Sequence, residues 1–263
     1  MLALVGCSSS DRDESKTQVV ATFYPLAFAA EQIGGPDVQV TNLVPPGVEP
    51  HDYELTVDDV KAVQDADVIL YLGGGFQPAV QQAIANAPGR KFDLLEGVQS
   101  RTSDPHVWLA PHRYAEMAAK IGDVLDEPAA AEAFAAKLAD LEAEFDAGLA
   151  QCERRFFYTS HGAFGYLARA FSLRTIGLVA AAPEGEINPK AFGKLVLFAE
   201  RDGTTTVFAE PLVPRDTAET FADAAGGLEV ATLDPIENTA EGQDYFSLMR
   251  ANLAALRKGL GCR

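Results

Sequence analysis

Val68-Ile69-Leu70-Tyr71-Leu72 is a continuous apolar run, and Gly73-Gly74-Gly75 stops it. A short apolar run bounded by glycine reads as a strand buried on both faces. Just upstream, Thr56-Val57-Asp58-Asp59 has the form of a capping box, with Asp59 in the acid position, and opens a helix that runs to about residue 64. Further back, residues 38–44 form another apolar strand, ended by Pro45-Pro46-Gly47. Val19-Val20-Ala21-Thr22-Phe23-Tyr24 is the first strand, followed by a helix over 26–33, and Phe92-Asp93-Leu94-Leu95 is a weaker fourth. Near-continuous apolar strands alternating with helices predict a parallel sheet covered on both faces.

The second half keeps the same rhythm. Phe156-Phe157-Tyr158-Thr159, Thr175-Ile176-Gly177-Leu178, Thr205-Thr206-Val207-Phe208 and Val230-Ala231-Thr232-Leu233 are its strands, and a last helix spans about 245–260. The repeat is one of architecture and not of sequence. Between the halves, residues 128–154 are rich in Ala, Glu, Leu and Lys, and Phe134, Leu138, Leu141, Phe145 and Leu149 fall on one helical stripe. Such a helix would be roughly 40 Å long and would act as a strut, resisting wide hinge motion. The stripe is too short to indicate a coiled coil. The expected fold is therefore α/β: two lobes, each a mostly parallel four-stranded sheet flanked by helices, joined by one long bridging helix. Its divisions are 1–17 as a truncated lipoprotein signal and tether, 18–125 as the first lobe, 126–154 as the bridge and 155–263 as the second lobe.

The chain has 263 residues and a net charge of −17, so no nucleic-acid partner is expected, because phosphate binding needs clustered Lys and Arg. No segment is apolar over the roughly 18 residues that a spanning helix requires. Leu4-Val5-Gly6-Cys7, followed by Ser8-Ser9-Ser10, has the form of a bacterial lipobox with Cys7 as the lipidated residue, although only six residues precede it. Residues 8–17 read as a polar tether. An extracytoplasmic location leaves Cys152 and Cys262 as an even pair in an oxidising compartment. One precedes the first strand of the second lobe and the other follows its last helix, so a disulfide between them is expected.

Four histidines are present. His51 follows the second strand, His161 lies just past the first strand of the second half, and His106 sits in Asp104-Pro105-His106-Val107-Trp108. Ligands of open parallel sheets bind beyond the carboxyl ends of the strands. Asp234 stands at the end of the last strand. Three imidazoles and one carboxylate converging between lobes suit a four-coordinate, borderline-soft cation. His112, after Pro111, reads as a surface residue at a helix start.

The segments Gly-Val-Glu-Pro-His-Asp-Tyr-Glu (47–54), Asp-Pro-His-Val-Trp-Leu-Ala-Pro (104–111), Ser-His-Gly-Ala-Phe-Gly-Tyr-Leu-Ala (160–168) and Leu-Asp-Pro-Ile (233–236) occur in order. Together with Phe208-Ala209-Glu210-Pro211 and Met249-Arg250-Ala251-Asn252-Leu253, they resemble the zinc/manganese solute-binding lipoproteins of ABC importers over about 18–261. The resemblance implies His51, His106, His161 and Asp234 as metal ligands, two from each lobe, with Glu210, Tyr53 and Trp108 in the layer behind them. It implies Zn2+ as the bound metal, with Mn2+ possible, and a role as the extracytoplasmic binding component of an importer. The partners would be the permease and its ATPase, and a lipid anchor would hold the monomer at the membrane.

Three departures stand out. The long His- and Asp-rich loop that many zinc-type relatives insert between the first two ligands is missing. Pro50 stands where some relatives carry a Glu donor, and Glu186-Ile187-Asn188-Pro189 replaces the usual Pro-Ser-Pro. Two other functions compete with the carrier: a zinc hydrolase with Glu210 as general base, and a surface adhesin. A carboxylate in the fourth coordination position disfavours the first, and nothing in the second needs the histidines.

Overall fold

The computed structural model describes residues 15–98, 104–179, 189–239 and 242–263. Cys7 and Glu186-Ile187-Asn188 lie outside them. The first sheet contains β1 (Thr17–Ala21), β2 (Val38–Asn42), β3 (Val68–Tyr71) and β4 (Arg90–Asp93), all parallel and in the order β2-β1-β3-β4. Helices α1 (Tyr24–Gly34), α2 (Val57–Asp65) and α3 (Pro78–Ile84) make its crossovers. The second sheet contains β5 (Phe156–Thr159), β6 (Arg174–Gly177), β7 (Thr206–Ala209) and β8 (Glu229–Thr232), in the equivalent order β6-β5-β7-β8. Its helices are α6 (Gly165–Ala170), α7 (Pro189–Arg201) and α8 (Asp216–Ala224).

The first strand ends at Ala21, short of the expected Tyr24, because Pro25 near the helix start presets a helical φ and commits the chain to α1. The capping box at Thr56 is present: its hydroxyl accepts from Asp59 N, and the Asp59 carboxylate accepts from Thr56 N.

Helix α4 (Pro111–Leu125) leads into α5 (Pro128–Leu149), the bridging helix. Its 22 residues give about 33 Å, shorter than expected, since the helix ends at Leu149. All five stripe residues are buried. The strut is only part of the connection. The last helix, α9 (Tyr245–Leu260), lies along α5, and Gly148 permits the approach: a Cβ there would stand 3.0 Å from Leu253 Cδ1. At the other end of α9, Tyr245 packs its ring 4.6 Å from that of Tyr114 and donates to Trp108 O at 2.6 Å. One apolar core accordingly runs from the first sheet through α4, α5 and α9 to Phe157 and Phe208 of the second. Cys152 and Cys262 form a disulfide beside a short antiparallel bridge, fixing the end of α9 to the entrance of β5. Among the described residues, no helix is long and apolar enough to cross a membrane.

Candidate metal centre

In both lobes the sheet order reverses between the first and third strands, which opens a crevice at their carboxyl ends. In the second lobe that crevice holds His161, two residues past β5, and Glu210, directly after β7. Glu210 accepts from His161 N at 2.9 Å and makes a very short contact with His161 Nδ1. A carboxylate on Nδ1 fixes the tautomer and turns the Nε2 lone pair outward.

His106 is prepared the same way. Asp104, two residues earlier, lies 2.9 Å from His106 Nδ1 and accepts from its backbone N–H at 3.0 Å. Trp108 braces it, with its ring 5.1 Å from the imidazole and its indole N–H donating to Pro235 O at 2.8 Å. The loop of His51 is held by the buried Gln77 amide, which donates to Thr22 O and Pro50 O at 3.1 and 3.3 Å. Phe76 meets the His51 ring edge-on at 4.6 Å, and Glu49 accepts from His51 N at 2.9 Å.

The three imidazoles converge, and a carboxylate joins them, but it belongs to Glu237 and not to Asp234. One donor atom from each of His51, His106, His161 and Glu237 lies within 4.8 Å of the others, and all four residues are buried. Glu237 Oε1 is 3.1 Å from His51 Nε2, 2.9 Å from His106 Nε2 and 3.7 Å from His161 Nε2, while the Nε2 atoms of His106 and His161 are 3.3 Å apart. A tetrahedron with metal–ligand arms of roughly 2.0–2.1 Å has edges of about 3.3–3.4 Å, a value that these four separations bracket.

Asp234, expected as the fourth ligand, is engaged locally. Its carboxylate accepts from Ile236 N at 2.7 Å, and its backbone N–H and C=O pair with the Asn252 side chain at 2.8 and 2.7 Å. An Asp carboxylate bonded to the backbone N–H two residues on builds a turn. Ile236 occupies the left-handed region at φ 55°, an uncommon conformation for a β-branched residue, and the next side chain enters the cluster. The expected ligand set drew two donors from each lobe. The four converging residues likewise come two from each lobe, with Glu237 where Asp234 was expected. Tyr53, expected behind the ligands, gives its hydroxyl to Asp59 at 2.6 Å instead. His112 Nδ1 meets Glu142 on α5 at 2.8 Å, half-exposed and outside the cluster.

Electrostatics bind the donors together. Burial works to lower the pKa of His106, but Asp104 and Glu237 outweigh it and raise it to about 9. Burial works to raise that of Glu237, yet the bonds from His106 and His51 hold it well below the usual carboxylate range. The two groups thus stabilise each other's charged forms, and a cation would compete with a proton for them. For Asp234, burial and then the charges of Glu237 and Glu210 push its pKa up to about 6 against the Ile236 N–H.

The sequence profile of the zinc-uptake complex component A family, described as periplasmic, matches residues 19–259. The chain belongs to that family. The zinc-binding protein AdcA of Streptococcus pyogenes is 30% identical over 93% of the chain, which spans only 56% of that longer protein. The high-affinity zinc uptake system protein ZnuA of Bacillus subtilis is 28% identical over 96% of the chain and 90% of its own length. Among solved structures, the zinc-bound ZnuA-like domain of Streptococcus pneumoniae AdcA superposes with a TM-score of 0.77 at 27% identity, covering 93% of this chain and 99% of that domain. Zinc-uptake family membership and the two parallel sheets agree with the resemblance read from the sequence.

Proposed function

We propose that this protein captures Zn2+ outside the cytoplasm through His51, His106, His161 and Glu237 and delivers it to the permease of an ABC importer. The observation that carries this reading is the buried cluster of three imidazoles and one carboxylate whose donor atoms lie within 4.8 Å of one another. The zinc-binding names of the relatives support the choice of metal. Glu237 also argues against hydrolysis, since a fourth protein donor leaves no metal-bound water to act as nucleophile. In this reading Cys7 carries the lipid that keeps the protein near its permease and ATPase.

Equilibrium dialysis against a series of divalent metals tests the proposal. The expected result is one zinc per chain, held far more tightly than manganese, because imidazole-rich four-coordinate sites favour zinc while manganese prefers oxygen donors. His161→Ala should weaken zinc binding strongly, and His112→Ala should leave it nearly unchanged. Equal losses at His112 and His161, or manganese bound as tightly as zinc, would overturn the assignment.

A further inference from the structure

The residue after Glu237 belongs to the second lobe by sequence and is bonded to the first. Asn238 is buried, and its side-chain Nδ2 donates to Pro45 O at 2.7 Å and to Val48 O at 2.8 Å. Both donors of the amide are engaged, and its oxygen accepts from Thr239 N at 2.8 Å. The two carbonyls come from one tight turn: Val48 N donates to Pro45 O at 3.2 Å, and Gly47, at φ 80°, takes the left-handed position after Pro46. Pro followed by Gly at the centre is the pattern of a type II turn, so the acceptor pair is rigid. His51 follows this turn three residues later.

From this we infer that Asn238 is a positioning residue that clamps the Glu237 donor to the turn carrying His51, so that metal is held while these two bonds last and leaves when they break. The inference rests on the metal reading of the cluster given above. It accounts for a donor on the β8–α9 connection staying in register with an imidazole from the other lobe. Asp234, Asn238, Pro46 and Gly47 line an interlobe cavity of about 620 Å³, which gives the Glu237 loop room to withdraw once the clamp opens. Trp108, through Pro235 O, supplies a second tie to the first lobe, so the loop shifts as a hinged segment between Asn252 and Trp108.

Asn238→Asp tests the clamp, since it keeps the shape and replaces both donor hydrogens with an oxygen facing two carbonyls. Zinc dissociation, followed by stopped-flow competition with a chelator, is expected to accelerate about 10- to 100-fold, the range found when groups orienting a metal ligand are lost. In protein prepared without metal, amide hydrogen exchange should accelerate in residues 48–53 and 236–239 only. An unaltered dissociation rate overturns the clamp. So does acceleration accompanied by faster exchange throughout the chain, which marks a merely structural residue. Gly47→Ala attacks the same clamp from the acceptor side and should reproduce the signature if Asn238→Asp does not fold. If the parent protein binds no zinc, the metal reading fails, and the exchange comparison still decides whether Asn238 couples the two loops.

Discussion

Replacing Glu237 with Gln is expected to lower zinc affinity by at least about 100-fold, while Asp234→Asn changes it by less than about tenfold. Loss of a group that merely orients a ligand already costs about 10- to 100-fold, and Glu237 is proposed as a donor itself. Gln keeps the size of the side chain and offers a neutral oxygen, so the loss reports the missing charge in a buried site. His106 would also lose the carboxylate on its Nε2, keeping only Asp104 to sustain its raised pKa. Asn at position 234 can still accept from Ile236 N and preserve the turn that aims Glu237. Parallel calorimetric titrations of the two variants decide the matter. Equal losses would mean that the loop rearranges on metal binding and presents Asp234.

The two carboxylates also mark where the sequence stopped being legible. The strands were readable because buried parallel strands are near-continuous apolar runs, and the amphipathic stripe of α5 identified the bridge. His51 and His161 could be selected because the polarity of a parallel sheet gathers strand ends on one edge, and His106 because its Asp-Pro-His segment belongs to the family pattern. Within Leu-Asp-Pro-Ile-Glu-Asn, however, nothing in the spacing tells which acid points inward. The choice is made by Ile236 in the left-handed region, by Asn252 gripping the Asp234 backbone and by Asn238 reaching the opposite lobe. These are long-range bonds of neutral amides, which carry no periodic signal. Asp104 was similarly within view, in Asp-Pro-His, but its service to His106 Nδ1 appears only once the chain folds back. Tyr53 was misplaced for the opposite reason: a strictly local partner, Asp59 of the capping box, captured its hydroxyl.

Removing the disulfide with Cys152→Ser and Cys262→Ser together is expected to lower stability substantially. The bridge closes a loop of 110 residues that contains the whole second sheet. On the chain-entropy account such a loop contributes about 4–5 kcal/mol, and measured values are often smaller. Part of the constraint survives the substitution, because Arg154 N still donates to Leu260 O at 3.0 Å and Arg263 N to Gln151 O at 3.0 Å. At about 2–4 °C per kcal/mol for a chain of this size, the melting temperature should fall by on the order of 10 °C. Zinc affinity of the folded protein should barely move. Cys152 lies at the amino end of β5, whereas His161 and Glu210 sit at the carboxyl ends of β5 and β7, so the bridge and the metal cluster occupy opposite edges of one sheet. Thermal melts of metal-free samples and zinc titrations of the same double variant separate the two effects. An unchanged melting temperature, or two reactive thiols in the denatured, unreduced parent, would show that the bridge does not hold the end of α9 in place. A loss of zinc affinity matching the loss of stability would show instead that α9, through Asn252, transmits strain from that end of the lobe to the loop that carries Glu237.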